Sequence, residues 1–416
     1  MKRFYLPILA VTVIACATAR AADWPQFRGP QRNGISPETN FPLTWGPDKN
    51  IKWKAPLPQP GNSSPIVSGG RVFITCAEDA HGTRRSLYCF DVKDGKKLWV
   101  QTVSYEQLDP THQRNPYCAS TPAADGRRVV VWHGSAGVHC YDHDGKELWS
   151  RDLGTFRHIW GYASSPIIYG NSIILNCGPG ARSFVIALDL TSGKTLWQND
   201  EPGGAEDRDP AGKWVGSWAT PVVGTVDGKD QILVAQSHHV NAYDPKTGTI
   251  LWTCGGTGDL AYADVMIGDG IAVAAAGYGG SSIGFKLGGS GDVTDSDRLW
   301  RAERNPQRIG TGVVIGPNLF MVSEPALSCI EMSTGRELWK HREPTQTFWG
   351  SIVCAGDRLY VTSQQGTTLV YAADAKEFRL LGANALGEPS NSTPALSDGR
   401  IFLRTAEHLY CIAEKP

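Results

Sequence analysis

The chain has 416 residues, a formal net charge of −1, and 47 glycines, 26 prolines and 14 tryptophans. The balanced charge excludes a dedicated nucleic-acid binder, because no basic stripe is available to displace counterions from phosphates. Abundant glycine and proline with a moderate charge content indicate many short strands joined by tight turns.

The N-terminus has the pattern of an export signal. A basic pair at 2–3 precedes an apolar run over 4–17, and Ala19-Arg20-Ala21 forms a small-residue cleavage site. We predict a signal peptide over 1–21, with cleavage after Ala21. A second interpretation stays open, because the Val-Ile-Ala-Cys sequence that ends at Cys16 resembles a lipobox, which would place a lipid there. We expect a periplasmic or secreted protein without a membrane span, since no later stretch reaches about 18 apolar residues.

A glycine is followed four residues later by a tryptophan five times along the chain. A hydrophobic residue precedes each tryptophan, and an acidic residue lies three or four positions before each glycine. The first four copies are roughly 40–55 residues apart, a period typical of propeller blades. The pairs are Gly95 and Trp99, Gly145 and Trp149, Gly193 and Trp197, Gly248 and Trp252, and Gly335 and Trp339.

Each repeat is predicted to contain four strands. In the first, an inner strand over 63–67 is followed by strands over 71–75 and 87–91, and a turn at 93–95 leads into the tryptophan strand. Eight inner strands are predicted. They begin around Ser63-Ser64-Pro65, Ser120-Thr121-Pro122, Ser164-Ser165-Pro166, Ala219-Thr220-Pro221, Tyr262-Ala263-Asp264, Gly310-Thr311-Gly312, Trp349-Gly350-Ser351 and Ser392-Thr393-Pro394.

The last repeat, over 391–412, has three strands, and the missing outer strand is supplied by 51–57 near the N-terminus. Such a closing strand pairs an edge that would otherwise open and aggregate. We therefore predict an all-β, eight-bladed β-propeller with four-stranded antiparallel blades, the last completed by the N-terminal strand. The propeller domain spans 51–416, and 22–50 is an extension packing on it. Seven blades, with one unit collapsed, is the alternative.

The repeated tryptophans are interpreted as structural, because a large ring on the outer strand can cover the packing between adjacent blades. The ten cysteines are likewise interpreted as small buried strand residues rather than disulfides. Several occupy the same repeat position in different blades, too far apart to bond. Cys76 with Cys89, on successive strands of one blade, is the one pairing considered.

The residues over 187–197, Ala-Leu-Asp-Leu-Thr-Ser-Gly-Lys-Thr-Leu-Trp, resemble the repeat of the pyrroloquinoline-quinone (PQQ) propellers. That superfamily includes quinoprotein alcohol dehydrogenases and BamB, a lipoprotein of the outer-membrane assembly machinery. The opening over 22–30, Ala-Asp-Trp-Pro-Gln-Phe-Arg-Gly-Pro, followed by Asn33-Gly34, is similar to the start of exported PQQ-like propellers of planctomycete-type bacteria. The resemblance covers the mature chain and implies the fold, but the family mixes enzymes with scaffolds.

Quinoprotein dehydrogenases of this family hold PQQ in the central funnel above a Ca²⁺ ion, with adjacent cysteines against the quinone. This sequence has no adjacent cysteine pair and no Cys-x-x-Cys-His haem motif. Near the predicted funnel it has few acidic residues: Asp109, Asp264 and Glu388. We predict no cofactor and no metal, with PQQ and Ca²⁺ as the alternative, because one carboxylate cannot replace a cage of six to eight oxygens. The acidic run over 292–297 is interpreted as a solvated loop.

The connections that lead into the inner strands are rich in aromatic and cationic side chains, and in a propeller they converge on one face around the channel. Arginines there could hold an anionic group while aromatics stack on a sugar or another planar ligand. The structural alternative is that the tryptophans pack between blades and the arginines pair with loop carboxylates. The predicted site comprises Arg114, Tyr117, Arg157, His158, Trp160, Trp214, Trp218, Asp264, Arg308, Trp349 and Asn391.

These features predict an exported binding or scaffold module whose ligand site is the funnel. Its partner would be a protein or a small anionic or carbohydrate ligand, and we expect a monomer. One alternative is a funnel-site enzyme, such as a quinoprotein-like oxidoreductase. Another is a lipid-tethered assembly factor similar to BamB, which depends on Cys16.

Overall fold

The computed structural model describes residues 22–201, 208, 212–304 and 309–414. The predicted signal peptide, including Cys16, and the predicted site residue Arg308 lie outside them. The described residues form eight antiparallel blades around a central channel, with very little helix. The eight-bladed prediction is confirmed, and the seven-bladed alternative is wrong.

Blades 1 to 4 each run from an inner strand at the channel to an outer strand at the rim. Their strands alternate hairpin by hairpin, as short runs of β-branched and aromatic residues between glycine turns predict. The strands are Ile66–Ser68, Arg71–Ala77, Arg84–Asp91 and Lys97–Ser104 in blade 1; Ala123–Ala124, Arg128–Trp132, Val138–Asp142 and Glu147–Arg151 in blade 2; Ile167–Tyr169, Ser172–Cys177, Ser183–Asp189 and Thr195–Glu201 in blade 3; and Val222–Val226, Lys229–Ala235, His239–Tyr243 and Ile250–Gly255 in blade 4.

Blades 5 to 8 follow the same order. Two short elements lie outside these strands. Gly216–Ser217 and Leu260–Ala261 form a parallel pair between the segments that precede blades 4 and 5, and Gly134–Ala136 forms a 3₁₀ turn in blade 2. The strands are Met266–Gly268, Ile271–Ala275, Ser282–Lys286 and Arg298–Ala302 in blade 5; Val313–Ile315, Asn318–Ser323, Ala326–Glu331 and Glu337–Arg342 in blade 6; Val353–Ala355, Arg358–Thr362, Thr367–Ala372 and Leu380–Ala385 in blade 7; and Ala395–Ser397, Arg400–Arg404, His408–Ile412 and Ile51–Pro56 in blade 8.

Blade 8 is closed by the N-terminal strand, as predicted. Ile51–Pro56 pairs antiparallel with His408–Ile412, and Trp53 lies opposite Cys411 in the register. Backbone hydrogen bonds from the start of the propeller therefore complete its last sheet and fasten the ring.

The acidic run over 292–297 is solvent-exposed at Asp292, Asp295 and Ser296, as predicted, but it is more ordered than a loop. Gly291–Asp292 adds a short parallel strand to the outer edge of blade 4, and Thr294–Asp297 forms one helical turn. Val293 between them is buried in the hydrophobic core shared by blades 4 and 5. This buried side chain anchors the segment, and the Asp292 carboxylate accepts from the Thr294 N–H (2.9 Å).

The glycine–tryptophan repeat joins neighbouring blades. The Trp99 indole of blade 1 donates to the His143 carbonyl of blade 2 (2.8 Å), and Gly145 of blade 2 covers the face of its ring. A Cβ at Gly145 would lie 2.8 Å from the ring, which explains glycine at this position. The same arrangement recurs where Gly95 covers Trp53, Gly193 covers Trp149, Gly248 covers Trp197 and Gly335 covers Trp300.

The nine described cysteines are buried and free, as predicted. Cys76 lies opposite Ser86 in the blade 1 register and donates to the Gln59 carbonyl, so it is not paired with Cys89. Within the described residues no helix is long and apolar enough to cross a membrane.

Residues 24–34, here called the plug, cross one end of the central channel. Trp24 pairs with Val67 of blade 1, and the Pro25 carbonyl accepts from Ala124 of blade 2. The segment then reaches blade 7, where Ile35–Ser36 lies parallel to Val353–Ala355. In blade 3, opposite blade 7, the Ile168 N–H donates to Gln26 Oε1 (3.2 Å), so the plug crosses the ring and closes the channel at that end.

Candidate functional site

A closed ring of hydrogen bonds surrounds the channel, with one residue from each blade. In every step the backbone N–H of one residue donates to the side-chain oxygen of its counterpart in the next blade, over 2.8–3.2 Å. Seven members supply hydroxyls, and the eighth supplies a carboxylate. In order they are Ser64, Thr121, Ser165, Thr220, Asp264, Thr311, Ser351 and Thr393.

The ring lines a funnel of about 240 Å³ that opens on the face opposite the plug. Phe27 of the plug contributes to its lining, so the channel is a blind cavity rather than a tunnel. Blind, concave sites with few polar groups are the usual geometry for small ligands.

One wall of the funnel is aromatic. Trp160, Trp218, Tyr262 and Tyr278 all line it, with Trp218 and Tyr262 centroids 4.7 Å apart and Trp160 stacked on Tyr278 at 6.1 Å. The Trp218 indole donates to the Gly161 carbonyl (2.9 Å), which fixes its orientation. Tyr278 is about half exposed (48 %), so this wall continues to the mouth.

Side-chain amides form the other side of the mouth. Asn62 donates to the Arg114 carbonyl (2.9 Å) and to the Asn115 side-chain oxygen (3.0 Å), and Asn391 donates to the same carbonyl (3.2 Å). Asn115 also donates to the Trp160 carbonyl (2.7 Å), which ties the amides to the aromatic wall. Trp349 completes the lining on this side.

Asp264 is the one carboxylate among the described lining residues, and it is 3 % exposed. Its carboxylate accepts from the Thr220 N–H (2.8 Å). Burial raises the pKa of Asp264 to about 6, and the positive charge of Arg28 in the plug opposes that rise. The floor of the funnel therefore contains a carboxylate whose ionisation is tuned by the plug.

Titration of Asp264 predicts a pH dependence of stability. Because its pKa is about 6 in the folded chain and 3.8 unfolded, the group stabilises the fold fully below pH 3.8, and this contribution is lost as the pH rises through 6. Asp264→Asn cannot titrate. Between pH 7.5 and pH 4 we expect the wild type to gain about 2 kcal/mol of unfolding free energy relative to this variant, measured by urea denaturation. A difference that stays constant over this range would contradict the raised pKa.

The predicted site residues fall into three groups. Trp160, Trp218, Asp264, Trp349 and Asn391 line the funnel together.

His158 and Trp214 pack behind the aromatic wall. The His158 ring meets Trp218 edge-on at 4.9 Å, and Trp214 packs on Trp160 at 5.7 Å. Burial lowers the pKa of His158 to about 4, so it supports the wall as a neutral ring. Arg114 is exposed, lies 5.9 Å over Trp349, and organises the amides through its carbonyl.

Tyr117 and Arg157 lie outside the lining. Tyr117 donates to the Asp109 carbonyl and stacks against Arg85 within blade 1, whereas the Arg157 side chain is exposed. The repeat placed their loops correctly, but side-chain direction in a loop follows from tertiary contacts that the sequence pattern does not encode.

The other two acidic residues predicted near the funnel, Asp109 and Glu388, pair with protein groups outside its lining. Asp109 forms a buried ion pair with Arg85 (2.8 Å) and accepts from Ser135. Glu388 accepts from the Tyr410 hydroxyl (2.6 Å) and lies 2.8 Å from a ring nitrogen of His408. Both brace loops between strands, which leaves Asp264 as the acidic group of the described funnel.

The hydroxyl ring, Phe27, Tyr262 and Tyr278 were not among the residues predicted for the site. The ring residues were visible as the repeated Ser or Thr at the inner-strand starts. Their closure into one cycle follows from the arrangement of eight blades.

The lining does not fit the PQQ and Ca²⁺ pair that the family resemblance implies. Ca²⁺ takes six to eight oxygen ligands, commonly from several carboxylates. Among the described lining residues the one carboxylate is that of Asp264. It already accepts a hydrogen bond from the Thr220 N–H, and the positive charge of Arg28 lies close to it. The adjacent cysteines expected against the quinone are absent from the sequence.

Known structures share this architecture. Quinohemoprotein alcohol dehydrogenase from Comamonas testosteroni has a TM-score of 0.67 and 12 % identity, over 95 % of this chain and 81 % of that chain. BamB from Moraxella catarrhalis has a TM-score of 0.60 and 16 % identity, over 87 % of this chain and 96 % of that chain. A computationally designed protein, Ika8, has a TM-score of 0.60 and 14 % identity, over 87 % and 99 %. Identities this low establish the fold alone.

The fold and the repeat define the chain as an eight-bladed PQQ-like β-propeller. A family model described as outer membrane protein assembly factor BamB matches residues 44–119, 86–341 and 326–414, and the chain belongs to this family. No curated protein is similar enough in sequence to count as a relative.

Proposed function

We propose that this propeller is an exported binding module whose funnel holds a sugar-sized, polyhydroxylated ligand. The observation that carries the proposal is the blind funnel itself, with an aromatic wall facing side-chain amides above a ring of hydroxyls. Aromatic faces offer a large apolar surface to the C–H face of a sugar ring. Amides and hydroxyls can pair with its hydroxyl groups.

The charges near the funnel favour a neutral or cationic ligand over an anionic one. Asp264 is the charged lining residue in the described part of the chain, and it would accept hydrogen bonds from ligand hydroxyls. Arg157 is exposed and does not line the funnel, and Arg114 points its charge over Trp349 at the rim. The arginine clamp expected for an anion is therefore not supported by the described geometry.

Binding is proposed rather than catalysis, because Asp264 already serves the hydrogen-bonded ring and faces the charge of Arg28. The family description, an outer-membrane assembly factor, supports a location outside the cytoplasm and allows a protein partner. Lipid tethering depends on Cys16. Intact mass of the mature protein tests it, since an acylated Cys16 supports tethering and a start at Ala22 removes it.

Isothermal titration of the mature protein with glucose, galactose, N-acetylglucosamine, cellobiose and glucuronate tests the proposal. We expect at least one neutral sugar to bind with a Kd of about 1 mM or tighter. Trp160→Ala should weaken it by about fivefold or more, since it removes a stacking surface worth about 1 kcal/mol or more. Ile159→Ala, at the exposed neighbouring position, is the matched control and should bind normally. The proposal fails if no neutral sugar binds, or if both variants bind like the wild type.

A further inference from the structure

A second, smaller cavity of about 60 Å³ lies at the plugged end, on the far side of the hydroxyl ring from the funnel. The plug supplies Arg28 and Arg32 to its lining, and blades 4, 5 and 6 supply mainly apolar residues. Two cationic side chains therefore face a small space with apolar walls.

The Arg28 guanidinium is only partly hydrogen-bonded, although Arg28 is 3 % exposed. Its Nη2 donates to the carbonyls of Gly312 (2.6 Å) and Asn33 (2.8 Å). Its Nε and Nη1 are buried without a hydrogen-bond partner, and so is Nε of Arg32. Buried donors of a charged group are costly when they are left unpaired.

Nearby carboxylates do not satisfy these donors. Asp264 attracts Arg28 and Asp230 attracts Arg32, but neither forms an ion pair with these arginines among the described residues. The Asp230 carboxylate instead accepts from the Tyr169 hydroxyl (2.9 Å) and the Thr225 hydroxyl (2.7 Å). Three guanidinium nitrogens of these two cavity-lining residues thus lack an acceptor among the described residues.

We infer that this cavity binds a small oxyanion, such as inorganic phosphate or sulfate, between Arg28 and Arg32. Guanidinium groups match the oxygen geometry of phosphate and sulfate, and a low-dielectric wall strengthens the interaction. Arg28 and Arg32 belong to the plug, whereas the apolar walls belong to blades 4, 5 and 6. A bound oxyanion would therefore fasten the plug across the closed end of the propeller. This inference does not depend on a ligand in the funnel.

Thermal unfolding of the mature protein tests the site, with millimolar phosphate or sulfate compared with chloride and acetate at matched ionic strength. We expect phosphate or sulfate to raise the Tm of the wild type by about 2 °C or more over chloride. Arg32→Gln should lose this difference. Arg127→Gln, which removes the same charge from an exposed position of blade 2, should keep it.

A gain shared by all three proteins would reflect the general stabilising effect of these salts and would overturn the inference. An equal response to acetate would show that the gain is not specific to phosphate or sulfate and would also overturn the inference. Crystals soaked in selenate give a second readout that does not depend on stability. An anomalous peak between the two guanidinium groups supports the site, and ordered water alone there contradicts it.

Discussion

Gly145→Ala is expected to destabilise the protein by about 3–4 kcal/mol, several times the cost of Gly126→Ala in the same blade. Both glycines have a left-handed backbone, with φ of 88° and 86°, so both variants bear a strain of about 1 kcal/mol. At Gly126 a Cβ meets nothing within 4 Å, whereas at Gly145 it would lie 2.8 Å from the Trp99 ring. The additional cost is that of overpacking a rigid interface between blades.

The comparison separates two explanations for glycine in the repeat. Urea denaturation of both variants measures the difference directly. If the two cost the same, glycine is required there only by the turn, and its close contact with the preceding tryptophan has no energetic role.

Trp53→Ala is expected to cost about 3–5 kcal/mol, because it removes a large ring from the point where the propeller closes. Trp53 belongs to the N-terminal strand of blade 8, and its indole donates to the Val92 carbonyl of blade 1 (3.2 Å). Its ring packs between Gly95 and Phe402, with the Phe402 centroid 5.9 Å away. One side chain therefore joins the closing strand, the last blade and the first blade.

Trp160→Ala is the matched control, since it also truncates a tryptophan but at the half-exposed mouth of the funnel. It should cost less unfolding free energy than Trp53→Ala. We also expect limited proteolysis of the Trp53 variant to begin near the closing strand. Equal stability losses in the two variants would contradict a special role for the closure.

The fold was largely predictable because each blade repeats one local pattern. The glycine turn, the tryptophan strand and the Ser or Thr at the inner-strand start each have a local physical reason, and their period sets the blade count. The closing strand was predictable because the last repeat lacks one strand, and 51–57 has the matching pattern.

The site was less predictable because its residues are not repeated. Loop position placed Trp160 and Trp218 correctly, but it could not distinguish Arg157, which is exposed, from residues that line the funnel. Phe27 and Arg28 reach the channel through the path of the plug, which has no counterpart in the repeat. The short strand and helical turn within the acidic run over 292–297 were not predicted, because they depend on the burial of Val293.

A crystal structure of the mature protein soaked in the tightest-binding neutral sugar shows directly whether the blind funnel is the ligand site. We expect density for one ring stacked on the wall of Trp160 and Tyr278, with a hydroxyl directed at Asp264. Density at another surface, with an unoccupied funnel in a protein that binds the sugar in solution, would contradict it.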